Sequence, residues 1–394
     1  MSAFAAHSQI DFDKTPSVAW RFKSRNPVFS SPVISNGVVY FGGLDSTVYA
    51  LEVSTGNVKW KLKTNGEIRS TVAIEGDRLF LVGGNGVLSC IDKTNGKPVW
   101  RKVFDNNALY IAERKYDFAD YFTSGPLVQN NVVYFGSGTG KVYAFRADNG
   151  EAVWTYQTGD IVHSTPVAFN DKLFIGSFDG YVYALNLQTG TLAWKFKSIG
   201  QQFFPKGEMA GSPVVSNNMV YVGGRDFNLY ALDVNEGRGN WNRKFDAGWA
   251  YALTPADTVL YAGTAEDRLM LAYDARNGRE LWRTNLKLHI FGKCAISSSL
   301  IYVPTIWGKL FALDRKSGQV KWTFATDGNM ANHDRYFNAD DTFGNDFFKV
   351  VKNSADLIPL EYKMGGIFSA PAIAGDYMII TTTEGIVYGL KKKN

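Results

Sequence analysis

Short runs of alternating apolar residues, such as Val38–Val39–Tyr40–Phe41 and Val220–Tyr221–Val222, recur along the chain between glycine and asparagine punctuation. Alternation with period two marks a half-buried strand, and the punctuation fixes where each strand turns. A Pro-Val run meets a polar pair such as Asn36–Gly37 or Asn170–Asp171 and reverses into an alternating strand. Gly42–Gly43 or Gly223–Gly224 opens a second turn that leads into a Val-Tyr-Ala-Leu strand. Thr-Gly (Thr55–Gly56, Thr189–Gly190) or Asn-Gly (Asn95–Gly96, Asn149–Gly150, Asn277–Gly278) makes the third turn. A positive φ is needed there, and glycine adopts it without a steric cost. A strand carrying tryptophan follows, completing four strands per unit.

The unit repeats. Tryptophans at 20, 60, 100, 154, 194, 241, 282 and 322 are spaced by 40, 40, 54, 40, 47, 41 and 40 residues. About 40 residues and four strands per unit is the signature of a propeller blade. Trp20 has no repeat before it, and the last repeat, Ile367 to Leu390, has no tryptophan strand after it. The reading is therefore all-β: an eight-bladed propeller of four-stranded antiparallel blades, closed by the N-terminal strand in the last blade. Closure of this kind removes an open sheet edge. The expected division is a lead at 1–15 and one propeller domain at 16–394.

Composition narrows the function classes. The 394 residues are 45% hydrophobic and 20% charged, which excludes a disordered chain. The net charge of +5 is dispersed apart from Lys391–Lys393, so a nucleic-acid partner is not expected. No apolar run approaches the roughly 18 residues of a membrane span. Two cysteines, Cys90 and Cys294, cannot build a disulfide framework. Cys90 replaces the alanine of sister repeats (Ala50, Ala184) and reads as a small buried residue; the two thiols are expected to stay separate. The opening MSAFAAHSQ, with small residues at Ala3–Phe4–Ala5 and Ala6–His7–Ser8, reads as the end of a signal peptide followed by a flexible lead. That reading expects a periplasmic or secreted monomer.

Unequal connections locate the elaborated face. From the tryptophan to the next inner strand takes 12 residues in three repeats, but 26 in Trp100–Pro126, 19 in Trp194–Pro213 and 49 in Trp322–Pro371. The insertions 101–125, 195–212 and 323–370 all follow tryptophan strands, which places them on one side of the disc. Candidate partner-binding residues ahead of the inner strands are Phe29, Arg69, His163, Tyr251 and Phe368, with Lys293 nearby. Their charges and rings suit an anionic or aromatic ligand, or line a solvated funnel that holds none. Trp249 and Trp307, off the repeat register, join them. Candidate aromatic anchors in the insertions are Tyr110, Tyr121, Phe203, Phe204, Tyr336 and Phe343. The polar 325–369 stretch reads as a solvated loop; its Asn332–Tyr336 and Asn338–Asp341 runs offer oxygen ligands without the twelve-residue calcium-loop spacing. Lys141 after Gly136–Gly140 lacks the phosphate-loop pattern. Neither a catalytic set nor a metal site is assigned.

The phrase Ala-Leu-Asp/Asn-x-x-Thr-Gly-x-x-x-Trp, clearest at Ala184–Trp194 and Ala50–Trp60, resembles the repeat of the pyrroloquinoline-quinone (PQQ) propellers over Trp20–Leu390. WD40 signatures are absent. Two branches of that superfamily bear on function. The quinoprotein dehydrogenases imply PQQ, calcium and an adjacent cysteine pair, which this chain lacks. The BamB-like branch implies a non-catalytic scaffold with protein partners in the cell envelope, and length and blade number agree with it. A glycan- or small-ligand-binding propeller is the remaining alternative.

Overall fold

The computed structural model describes residues 10–104 and 123–393. They form eight four-stranded antiparallel sheets, each built from strands consecutive in sequence except the last. The first blade is β2 (Val33–Ser35), β3 (Val38–Gly42), β4 (Thr47–Glu52) and β5 (Val58–Lys63). In the last, β30 (Ala372–Ala374), β31 (Tyr377–Thr381) and β32 (Ile386–Lys391) are joined by β1 (Ser17–Lys23) from the other end of the chain. Trp20 pairs with Gly389 in that seam. The eight-bladed reading and its closure therefore hold.

The recurrence of tryptophan with Thr-Gly or Asn-Gly has one physical cause. Every rim indole except Trp322 packs beneath the third-turn glycine of the next blade. A Cβ added at Gly190 would stand 2.5 Å from the Trp154 ring, and one at Gly96 would stand 2.6 Å from the Trp60 ring. These glycines sit at φ of +70° and +76°, so the turn and the close approach both demand the residue. The same indoles donate to a carbonyl beside that turn: Trp20 to Val53, Trp60 to Lys93, Trp154 to Leu187 and Trp282 to Arg315, each at 2.9 Å. Blade packing is thus pinned at the rim by one ring and one hydrogen bond per interface.

Two expectations need revision. The lead at 1–15 is not flexible where it is described: Phe12 is fully buried, and its N–H donates to the Tyr302 hydroxyl at 2.8 Å. Asp11 accepts from Ser297 and from both the amide and the hydroxyl of Ser299. The 325–369 stretch is not a solvated loop either. It forms helices α1 (Asp327–Tyr336), α2 (Asn345–Val350) and α3 (Ser354–Met364), capped by the Thr326 side chain at the start of α1 and by a reciprocal Asn353–Asp356 capping box on α3. Tyr336, Phe337, Phe347, Leu360 and Met364 are buried in a core cluster that also contains Trp307. The sequence is polar overall because these short helices are each buried on one side only.

Cys90 is fully buried on β8 (Val87–Asp92) of the second blade, and Cys294 is buried beside the inner strand of the seventh. Both are free thiols, and burial pushes each up to about 11.

Candidate functional site at the elaborated face

One side of the disc is built from two sets of backbone: the connections leaving the tryptophan strands and the turns between the second and third strands. They bond to each other blade after blade, as in Ile68 N–H to Gly43 O, Val162 to Ser137, Met209 to Ser177, Ile290 to Thr264 and Ile367 to Thr305. The residues before these inner strands are thereby held against the turns, and the described insertions, 195–212 and 323–370, belong to the same set of connections.

Most of the expected residues meet in one belt. The Arg69 guanidinium, held by Glu67 at 3.0 Å, lies over the Phe29 ring at 5.7 Å. Phe29 packs on Phe368 at 5.0 Å, Phe368 on Phe291 at 6.1 Å, and Phe291 on Tyr251 at 6.5 Å. Tyr251 stacks on Trp249, with ring planes 9° apart. Arg225, a residue that sequence reasoning passed over, is buried among Phe178, Phe204 and Trp249 at 5.2, 5.4 and 5.6 Å. Phe178 then meets His163 edge-on at 5.4 Å. His163 also borders a shallow cleft lined by Val82–Gly84, Phe104, Thr123, Ser124 and Gly136–Gly138.

The belt is packed rather than open. Phe29, Phe368, Trp249 and His163 are all buried. Trp307 is buried elsewhere, under the helical insertion, with Phe337, Phe343 and Phe347 around it at 5.4 to 5.8 Å. Tyr336, expected as an exposed anchor, is buried, with the Arg335 and Lys363 cations over its ring. Phe343 is half-buried, stacked on Phe347 at 3.8 Å. Tyr110 and Tyr121 lie outside the described residues.

Phe203 differs from all of these. It is 76% exposed, and Ile199 in the same connection is 71% exposed. The loop that presents them is pinned. Gln201 and Phe204 exchange backbone hydrogen bonds at 3.1 and 3.2 Å. The Gln201 side chain accepts from Phe203 N–H at 2.9 Å, and Ser198 Oγ donates to Gly207 O at 2.9 Å. Phe204 turns inward onto Trp249, so its neighbour Phe203 is left facing outward.

Three ionisable groups on the same face are shifted by burial: Lys293, expected from the sequence, and Glu266 and His289, which sequence spacing did not single out. Burial raises Glu266 to about 7, lowers His289 to about 3, and lowers Lys293 to about 8. Glu266 and His289 belong to no motif; only the fold brings His289 to Trp307. Among the described residues, no three His, Cys, Asp or Glu side chains converge to hold a metal ion. With Cys90 and Cys294 in different blades, the donors present do not fit the calcium-quinone site implied by the dehydrogenase branch.

Comparison with known proteins gives the following. The sequence profile of the family described as "Outer membrane protein assembly factor BamB" matches residues 10–71, 65–271 and 178–394. The outer membrane protein assembly factor BamB of Burkholderia pseudomallei is 25% identical over 376 residues, 92% of this chain and 84% of that protein. The crystal structure of BamB from Moraxella catarrhalis superposes with a TM-score of 0.70 at 16% identity, covering 95% of this chain and 99% of the other. The quinohemoprotein alcohol dehydrogenase ADHIIG of Pseudomonas putida superposes with a TM-score of 0.69 at 13% identity, covering 96% and 77%. At such identities, these two structures speak to the fold alone.

Proposed function

The chain belongs to the family of the outer membrane protein assembly factor BamB, and we propose that it is an exported, non-catalytic propeller that scaffolds protein partners in the cell envelope. The observation that carries this reading is the pinned loop presenting Phe203 and Ile199 on the elaborated face. An exposed aromatic on a backbone already ordered loses little entropy on docking, which is what a binding hot spot requires. Grafted loops on a rigid scaffold are also where function concentrates. Among the described residues no helix is long and apolar enough to cross a membrane. The belt from Arg69 to His163 serves here as the rigid floor beneath the loop, with Arg225 and Trp249 locking Phe204 and so orienting Phe203.

The test is capture of partners from the periplasm and outer membrane by the intact protein and by a Phe203→Ser, Ile199→Ser double variant. Recovery of outer-membrane assembly components by the intact protein and their loss in the folded variant is the expected result. Equal capture by both overturns the face assignment, and a cytochrome as the specific partner favours the oxidoreductase reading instead.

A further inference from the structure

Glu266 and Arg268 stand two residues apart in the turn between β23 (Val259–Gly263) and β24 (Leu269–Asp274), yet they do not satisfy each other. Oε2 of Glu266 is buried without a hydrogen-bond partner, and so is Nε of Arg268. The residue between them is fully used: the Asp267 carboxylate accepts from the amides of Gly248 at 2.9 Å and Ala247 at 3.2 Å. Buried polar groups in native proteins are almost always paired, so two orphans in one turn call for a physical account.

A third group completes the picture. The Trp307 indole donates to Nδ1 of His289 at 2.8 Å. An indole N–H is a donor only, so Nδ1 is bare, and a neutral ring then carries its proton on Nε2. Burial and the nearby Arg268 charge both favour that neutral ring. The tryptophan thus fixes the tautomer that turns His289 into a donor at its far nitrogen. Phe343, carried in by the helical insertion, roofs the group. Its ring lies 4.7 Å from the Arg268 guanidinium, 6.0 Å from His289 and 5.8 Å from Trp307.

We propose that this niche is a binding site for a carboxylate, which takes the Arg268 Nε–H and the His289 Nε2–H as donors beneath the Phe343 roof. Glu266 then faces the ligand through Oε2 in its protonated form, as a third donor. A cation is the wrong ligand, because the guanidinium already supplies a desolvated positive charge and the imidazole is held as a donor. The same carboxylate chemistry is found in a free small acid and in an acidic residue or C-terminus borne by a partner protein. The proposal stands whether or not a partner docks at Phe203, which lies on a different connection.

The test is titration of the intact chain with sodium succinate, with a short acidic peptide, and with ethylammonium chloride, following heat and the indole N–H resonance of Trp307. Binding of succinate or of the peptide, with a shift of that resonance, is expected, and which of the two binds identifies the source. In Arg268→Gln the affinity should fall by at least about tenfold, since a charge-assisted bond is lost. In Glu266→Gln binding should persist, since the amide still donates. Absence of binding by either carboxylate at millimolar concentration, binding undiminished in a folded Arg268→Gln, or binding of ethylammonium lost in Glu266→Gln would each overturn the proposal.

Discussion

The indole N–H of Trp322 donates to the backbone carbonyl of Phe12, 310 residues away along the chain. Every other rim tryptophan bonds a carbonyl of the blade that follows it, beside the third-turn glycine. After the seventh blade no such turn remains, because the last blade takes its outer strand from β1. The segment leading into β1 fills the place of the missing turn, with Phe12 seated against Tyr302 at 5.9 Å in an edge contact. The ring is therefore closed twice, by the β1–β32 ladder and by this clasp.

If the clasp matters, Phe12→Ala should cost about 3–5 kcal/mol, the range for removing a buried aromatic ring. Hydrogen exchange should show the loss concentrated in the seventh and eighth blades rather than spread around the ring. A variant with unchanged protection in Val320–Ala325 and Ile386–Lys391 would show that β1 alone closes the propeller.

The tryptophan–glycine contact predicts a paired result. Gly37 and Gly190 share nearly the same backbone, at φ of +74° and +70°, but a Cβ at Gly37 meets nothing within 4 Å while one at Gly190 meets the Trp154 ring at 2.5 Å. Gly37→Ala should cost only the left-handed penalty of about 1–2 kcal/mol. Gly190→Ala should cost about 1–3 kcal/mol more, from overpacking against the indole. Equal shifts in thermal midpoint would remove the steric explanation for the repeat.

These examples show why the fold was legible in the sequence. A contact needed at each blade interface leaves its residues at a fixed spacing, so tryptophan, Thr-Gly and the strand alternation announce themselves by recurrence. Phe12 and the 325–369 helices each occur once, and a single occurrence has no register. The site was half legible for the same reason. Phe29, Arg69, His163, Tyr251 and Phe368 occupy an equivalent position in successive repeats and so could be picked out. Arg225 meets Phe178 and Trp249, and His289 meets Trp307, only once neighbouring blades pack together. Exposure was the hardest feature to foresee: adjacent residues Phe203 and Phe204 part company because one of them has Arg225 and Trp249 to pack on.

The buried acid on this face gives a pH prediction. Glu266 is raised from 4.5 to about 7, chiefly by burial. Between those values the folded chain binds more protons at this site than the unfolded chain, so this group's effect on stability becomes more unfavourable as pH rises from 4.5 through 7. Glu266→Gln should therefore be indistinguishable from wild type near pH 4.5 and more stable by about 2–3 kcal/mol at pH 8. His289, held down at about 3, acts in the opposite direction, with its contribution lost as pH falls below 6.5. Thermal melts of wild type and Glu266→Gln across this window separate the two. A difference that grows toward low pH would contradict the burial of the carboxyl.

The two thiols should be invisible to reagent in the native state. Both are buried and held as thiols at neutral pH, with burial raising each to about 11, and alkylation proceeds through the thiolate. At pH 8 the native protein should react slowly, and the denatured, unreduced protein should yield both Cys90 and Cys294. A linked Cys90–Cys294 peptide would place the second and seventh blades in contact and contradict the ring.

The helical insertion invites the obvious experiment of shortening 323–370 to the 12-residue connection of its sister blades. The burial pattern argues that this will not act as a clean test of partner docking. Trp307 is 1% exposed only because Phe337, Phe343 and Phe347 cover it, and Asn329 of α1 donates to the Trp307 carbonyl at 2.8 Å. The insertion is also tied to the scaffold by Arg21 to Asp327, at 2.8 and 2.9 Å, and by Lys309 to Asp341. Removing it would leave a large indole and its neighbours bare on the face, with a loss of stability well beyond the roughly 0.5 kcal/mol of an ordinary surface change. Phe203→Ser, by contrast, touches a ring already in water and should leave the thermal midpoint within that margin. A shortened protein as stable as the parent would mean that the helices are an appendage, free to serve as a docking element in their own right; a large loss beside an unchanged Phe203→Ser would mean that the helices build the face, and that docking is tested at Phe203 rather than by trimming them.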